Sequence, residues 1–111
     1  MTQIEAYLLS LIIEGIAATG IAMVMAGQKR RAALAAMVGT TLTHPFVWQG
    51  ALLLYPVLGY VPTLLVVEAG AVVAEAGGYR LFAVQGWGLA LFYSLIANGA
   101  SFLIGLMLML A

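Results

Sequence analysis

Four long apolar stretches, separated by short polar connections, constrain this chain more than any other feature. They occupy residues 6–27, 32–55, 62–78 and 89–111. Each has the length of about 17–25 residues that an α-helix needs to cross a bilayer. A soluble fold could not cover such surfaces, because 65% of the residues are hydrophobic and only 7% are charged. The sequence therefore predicts an all-α integral membrane four-helix bundle, with residues 1–111 forming a single transmembrane domain.

The basic residues predict the orientation of these helices. All four lie in the first and third connections: Lys29, Arg30, Arg31 and Arg80. With four helices these two connections face the same side, and the positive-inside rule assigns that side to the cytoplasm. We therefore expect both termini to lie outside, and we expect a multi-pass protein of a prokaryotic cytoplasmic (inner) membrane.

Proline and glycine residues predict where the middle helices end. Pro56 and Pro62 bracket a short turn, and proline is well suited to the first turn of the helix that follows. The paired Gly77 and Gly78 are typical of a helix C-terminus, which places the end of the third helix near residue 78.

Composition and motifs exclude several classes of function. Lys and Arg balance Asp and Glu to a net charge of +0, so the chain has no basic surface for nucleic acid. There is no cysteine for a thiolate metal site, and no metal site is predicted. Glycine-rich phosphate loops and hydrolase motifs are missing, so we expect that the protein is not an enzyme. The lipid bilayer is the expected partner, and the sequence leaves any cofactor unknown.

Polar residues within the apolar stretches are the candidate functional residues, because a polar side chain in hydrocarbon requires a partner. Glu14, His44, Glu68 and Asn98 fall at similar depths, one in each stretch, so antiparallel packing could gather them. Pro45 removes a backbone hydrogen bond and frees the carbonyl group of Thr41 beside the imidazole. These side chains form the predicted ligand- or proton-binding set: Glu14, His44, Glu68, Asn98 and Thr41. For each one, a hydrogen bond that serves only packing is the alternative.

A second set of polar residues is predicted to be structural. Glu75 lies seven residues after Glu68 and could pair with Arg80 near the cytoplasmic end. The last stretch carries a stripe of small and polar residues that is typical of helix packing in membranes. The structural set comprises Glu75, Tyr79, Arg80, Ser94 and Ser101.

Two resemblances follow from these residues. The pattern of Thr43-His44-Pro45, then Glu68, Glu75 and Tyr79, then Ser94, Asn98, Ser101 and Gly105 resembles that of small uncharacterised prokaryotic membrane proteins, which implies no activity. The chain is also similar to small multidrug resistance transporters, which have four helices and a membrane-embedded glutamate in the first, where Glu14 stands. It departs from them in the third helix, which has two acids and no Trp-x-Gly element.

Two functions remain open at this stage. In the first, the protein is a cation- or proton-coupled transporter or channel that uses the mid-membrane carboxyl groups, in an oligomer. In the second, it is an accessory or structural subunit whose polar and small stripes meet partner helices, either in a larger complex or in a homo-oligomer. The number of ionisable groups at one depth favours transport, because serine and asparagine could make packing contacts at a lower desolvation cost.

Overall fold

The computed structural model describes residues 2–110 and contains four α-helices in that range, with no strand. The helices are α1 (Gln3–Val24), α2 (Lys29–Leu58), α3 (Tyr60–Phe82) and α4 (Trp87–Leu110). The all-α fold class is thereby confirmed. Ala111, which the sequence places in the fourth helix, lies outside the described residues.

The helices form a four-membered ring in chain order. Each helix packs against its predecessor and successor, and α4 closes the ring against α1. Contacts at two levels show that neighbouring helices are antiparallel. Between α1 and α2, Tyr7 meets Thr41 and Gly15 lies against Met37. Between α2 and α3, Gly39 lies against Glu75 and Gly50 lies against Val67. Short connections between long helices impose this arrangement, because no chain is available to return to the other end of the bundle.

The connection between α2 and α3 is shorter than the two prolines indicate. α2 continues through Pro56 to Leu58, and α3 begins at Tyr60, so that only Gly59 separates them. Gly59 has φ of 85°, a conformation that glycine adopts without the penalty of a Cβ atom. Pro62 lies in the first turn of α3, where its missing N–H group costs no hydrogen bond.

The paired glycines of α3 do not end that helix. α3 continues through Gly77 and Gly78 to Phe82, and its C-cap is Ala83. A Cβ atom added at either glycine would meet nothing within 4 Å, so packing does not require glycine at these two positions. Helix-ending glycine acts through a left-handed backbone conformation, and neither glycine has a positive φ here.

Small side chains fill the interior of the bundle, and large apolar side chains cover its outside. Among residues 2–108, the buried hydrophobic residues are nine alanines and two tyrosines, each at most 5% exposed: Ala18, Ala22, Ala32, Ala35, Ala36, Ala71, Ala76, Ala90, Ala97, Tyr79 and Tyr93. Side chains such as Ile16, Phe46 and Leu81 are more than two thirds exposed. Helices in lipid pack in this way, because small residues let their backbones approach closely.

Three of the four helices are long and apolar enough to cross a membrane: α1, α3 and α4, the last over Trp87–Leu108. α2 is the longest helix, with 30 residues, and its apolar sequence is interrupted between residues 40 and 49 by threonines, His44, Pro45 and Gln49.

Enlarging an interior alanine should destabilise the bundle, whereas enlarging an outer one should not. Ala36 is 0% exposed, so Ala36→Leu is expected to lower the free energy of unfolding by about 1–3 kcal/mol through overpacking. The matched control is Ala69→Leu, at an exposed position of α3. Thermal unfolding in detergent, followed by circular dichroism, measures both variants. Equal melting temperatures for the two variants would contradict the alanine-lined interior.

Candidate functional site

Two carboxyl groups meet inside the bundle, one from α1 and one from α3. Glu14 and Glu75 are 3% and 2% exposed, and their side chains lie within hydrogen-bonding reach of each other. Glu14 is near the middle of α1, whereas Glu75 lies nearer the C-terminal end of α3. We refer to Glu14 and Glu75 as the carboxyl pair.

Hydroxyl groups from the other two helices donate hydrogen bonds to this pair. The Thr43 hydroxyl of α2 donates a hydrogen bond of 2.9 Å to Oε2 of Glu75. The Ser101 hydroxyl of α4 shares its hydrogen between Oε2 of Glu14, at 3.3 Å, and the backbone carbonyl of Asn98, at 3.1 Å. The Asn98 side-chain amide also approaches Glu75. All four helices therefore contribute to one polar site.

The backbone of α2 comes unusually close to Glu75. A Cβ atom added at Gly39 would lie 3.2 Å from Cγ of Glu75, which is tighter than ordinary van der Waals contact. Gly39 is four residues before Thr43, on the same face of the helix. The absence of a side chain at position 39 therefore lets α2 approach closely enough for Thr43 to reach the carboxyl group.

Several polar atoms of the site have no hydrogen-bond partner among the described residues. They are Oε1 of Glu14, Oε1 of Glu75 and the hydroxyl oxygen of Tyr79. Tyr79 is 0% exposed and lies near enough to both glutamates to interact with them electrostatically. A buried polar group without a partner is costly, so the site is chemically incomplete with both carboxyl groups ionised.

Ser94 and Asn98 link the site to the α3–α4 interface. The Ser94 hydroxyl donates a hydrogen bond of 2.6 Å to the backbone carbonyl of Val72. The Asn98 amide donates to the Ser94 carbonyl at 2.9 Å and to the Ser94 hydroxyl at 3.2 Å. Ser94, Asn98 and Ser101, which the sequence places on one stripe, thus face the interior together.

Glu68 lies beside the site and not within it. Its side chain is half-buried and near enough to Glu14 and Glu75 for electrostatic interaction. Glu68 is two helical turns from Glu75, toward the N-terminal end of α3. Tyr79 occupies the opposite side of Glu75, one turn toward the C-terminal end.

His44 and Thr41 lie elsewhere, at the interface of α1 and α2. The imidazole ring is 5.6 Å from the ring of Tyr7 and 6.2 Å from that of Trp48. The Thr41 hydroxyl is 2.8 Å from the Tyr7 hydroxyl and donates to the backbone carbonyl of Met37. The structure therefore does not bring His44 or Thr41 to the carboxyl pair.

Arg80 does not pair with Glu75. Residues five apart on an α-helix point in different directions, so Glu75 faces inward while Arg80 faces elsewhere. The Cζ atom of Arg80 lies 5.9 Å from the centre of the Trp87 ring, at the start of α4. The structural pairing of Glu75 with Arg80 that the sequence suggests is wrong for this reason, and Glu75 is free to join Glu14.

Two buried tyrosines lie between the carboxyl pair and the connection of α1 to α2. The rings of Tyr79 and Tyr93 are 5.5 Å apart. A Cβ atom at Gly27 would lie 2.8 Å from the Tyr93 hydroxyl, so a side chain at this position would displace the phenol from the end of the bundle. Gly27 itself is exposed.

Thr43 is the residue of the site that sequence reasoning missed as a candidate. It belongs to a run of three threonines around Leu42, in which the sequence drew attention to Thr41 through Pro45. The available signal is its four-residue spacing from Gly39, because a glycine and a hydroxyl on one helix face indicate close approach by a polar group.

The arrangement can hold a small positive species between two acids. Carboxyl groups this close repel each other when both are ionised, so a proton or a cation must reduce the charge. Among residues 2–110 no group of three or more histidine or acidic side chains forms a metal centre.

Comparisons with protein-family models, with curated proteins and with solved structures find no match to this chain.

Removing the Thr43 hydroxyl should destabilise the protein through the buried carboxyl group. Thr43→Val leaves Oε2 of Glu75 without its donor, for an expected loss of about 1–3 kcal/mol in the free energy of unfolding. Thr19→Val is the matched control, since the Thr19 hydroxyl donates only to the Gly15 carbonyl of its own helix. Unfolding titrations with a denaturing detergent measure both. A loss no larger than the control's would show that the Thr43 bond is dispensable.

Proposed function

We propose that this protein is a cation- or proton-coupled transporter or channel of the membrane, in which the carboxyl pair binds the transported or coupling ion. The observation that carries the proposal is the pair itself. Two acids from different helices meet in the interior of the bundle, and each has one oxygen that no described donor reaches.

The distribution of side chains supports a location in the bilayer. Alanine and polar groups lie inside, while isoleucine, leucine, valine and phenylalanine side chains are exposed along all four helices. Water would make such a surface aggregate, whereas hydrocarbon solvates it.

We extend the proposal to four membrane crossings with both termini outside. α2 packs between α1 and α3 along the bundle, so it crosses wherever those two helices cross. Its polar residues Thr40 and Thr43 face inward, which reduces the cost of placing this helix in lipid. Lys29, Arg30 and Arg31 then lie at the cytoplasmic end of α2, as the positive-inside rule requires.

Polar groups flank the carboxyl pair on both sides, as a transport route requires. In the proposed orientation, the half-buried Glu68 lies between the pair and the outer side. Tyr79 and Tyr93 lie on the cytoplasmic side of the pair, and the Tyr93 hydroxyl is close to the exposed Gly27. An ion that enters past Glu68 would reach the pair and then the tyrosines. The transport proposal favours an oligomer of this chain, since 111 residues enclose little interior.

A role as a subunit of a larger membrane complex is the second candidate. A groove of about 300 Å³ between α2 and α3 favours it, because Gly70, Ala71 and Ala74 line one wall and leave space for another helix. Purification from native membranes and mass measurement of the intact assembly tests it. Stoichiometric partner chains would support the subunit role over transport.

Neutralising either member of the pair should abolish ion flux. Glu14→Gln and Glu75→Gln keep the shape of the side chain but remove its acidity, so proton- or cation-driven flux in reconstituted vesicles should fall to that of protein-free vesicles. Glu68→Gln should slow flux without abolishing it, because Glu68 lies beside the site.

The control for these variants is Glu5→Gln, since Glu5 is exposed in the first turn of α1. It should transport as the unsubstituted protein does. Flux that is equal in the Glu14, Glu75 and Glu5 variants would remove the transport proposal.

The proposed topology has a direct test, because the chain contains no cysteine. Single substitutions Gln3→Cys, Gln28→Cys and Gln85→Cys place a thiol at exposed positions at the start of α1, before α2 and before α4. A membrane-impermeant maleimide should label Gln3→Cys in intact cells, and the other two only after permeabilisation. The reverse pattern would invert the topology.

A further inference from the structure

The proposed transport function leaves the bound species open between a proton and a metal ion, and the geometry of the carboxyl pair separates them. We propose that Glu14 and Glu75 share a single proton, which is carried by Glu14 and donated to the Glu75 carboxylate. This inference rests on the proposed function and names the ion of the same site.

The surroundings of the pair do not provide the ligands of a metal ion. A hard cation such as Ca²⁺ takes about 6–8 oxygen ligands, and Mg²⁺ needs near-octahedral geometry. Here the two carboxyl groups lie within hydrogen-bonding reach of each other, and the hydroxyl groups of Thr43 and Ser101 donate toward them. Two grooves on the bundle, of about 300 and 540 Å³, are lined by neither glutamate. A proton needs only the two carboxyl oxygens that it joins.

The donors around the pair favour a negative charge on Glu75. Thr43 donates to Glu75 at 2.9 Å, and the Asn98 amide, which lies beside the same carboxyl group, donates to Ser94. Glu14 receives one longer hydrogen bond, of 3.3 Å from Ser101. Hydrogen bonds to a carboxylate stabilise its charged form, so the better-supplied carboxyl group holds the charge. The proton therefore belongs to Glu14.

Tyr79 provides an independent indication that a donor is needed here. Its hydroxyl is buried, has no hydrogen-bond partner among residues 2–110, and lies near enough to both glutamates to interact with them electrostatically. A phenol can donate to a carboxylate and can accept from a carboxyl group. The Tyr79 hydroxyl could therefore form a hydrogen bond with the pair both when the proton is bound and when it has left. To a metal ion it would offer only one neutral oxygen ligand.

The titratable groups that face the pair come from three helices. α1 contributes Glu14 itself, and α3 contributes Glu68 and Tyr79 beside Glu75. From α4, Tyr93 lies behind Tyr79. α2 presents Gly39 and Thr43, which do not titrate. In the described part of the chain, none of these groups is a cation. The negative charge that remains on Glu75 must therefore be stabilised by hydrogen bonds to its carboxylate.

Infrared spectroscopy of the full chain in lipid vesicles at neutral pH tests the assignment. A protonated carboxyl group has a carbonyl stretching band of its own, which shifts in D₂O, whereas a carboxylate lacks it. The measurements are made in the Glu68→Gln background, so that only the pair contributes inside the bundle. The amide band of the same spectra reports whether each variant remains helical.

The two pair variants should behave differently. Glu14→Gln should lose the carboxyl band completely, because the group that carries the proton is gone. Glu75→Gln should keep the band at a higher frequency, because an amide oxygen accepts a weaker hydrogen bond from Glu14 than a carboxylate does. Addition of sodium or magnesium chloride should leave the band of the unsubstituted pair unchanged.

Three results would overturn the proposal: no carboxyl band from the intact pair, a band that persists in Glu14→Gln, or a band that disappears when a metal ion is added. The first and third results are measured on the unsubstituted pair, so these two tests remain valid even if Glu14→Gln fails to fold. If the predicted bands are observed but the protein shows no flux, the proposed transport function is contradicted and the proposed proton site is supported. Flux with a metal-sensitive band would end the proton assignment alone.

Discussion

The close approach of four helices through small side chains is the constraint on which the rest of this structure depends. Nine buried alanines let the backbones come together, and the large apolar side chains are left on the outside. In lipid there is no hydrophobic gain from burying leucine against leucine, so van der Waals contact between backbones and hydrogen bonds between helices hold such a bundle. Because alanine side chains are small, they leave space between the helices, and two tyrosine side chains are buried in this space at one end of the bundle.

The polar site fits into this interior because every helix supplies one part of it. Carboxyl groups come from α1 and α3, and the hydroxyl and amide donors come from α2 and α4. The carboxyl groups of α1 and α3 receive hydrogen bonds from other helices, so these bonds also fix the rotation of each helix about its axis. The same contacts therefore serve packing and chemistry. The cost of a buried acid is tolerable in a site of this kind because other helices supply donors to it.

Sequence reasoning identified much of this site but suggested a partner for Glu75 that the structure does not place beside it. Glu14 and Asn98 stand out in the sequence as polar residues at mid-helix, and the structure places both in the interior. Glu75 was expected to serve Arg80, because the two are close in sequence and opposite in charge. The five-residue interval between them separates their directions on the helix, and Glu75 reaches Glu14 from a distance of 61 residues along the chain instead.

His44 also stands out in the sequence, as a lone histidine beside a proline, but it does not lie at the carboxyl pair. Its ring lies among Tyr7 and Trp48 at the α1–α2 interface, while the neighbouring Thr43 reaches the carboxyl pair. Adjacent residues on a helix differ by about 100° in direction, so a shift of one position decides which of them faces the interior.

By itself, the sequence determined that the chain is helical and that it has four helices in the described part. It predicted that all four span a membrane, and three of them are long and apolar enough to do so. These properties depend on sums over long segments, which do not change when a helix rotates. Only the tertiary structure decided that Glu14 meets Glu75, that Gly39 admits Thr43 to them, and that Glu68 and His44 stay apart from the pair. Those outcomes depend on the rotation and spacing of each helix against two neighbours, which contacts between distant residues set and local sequence does not.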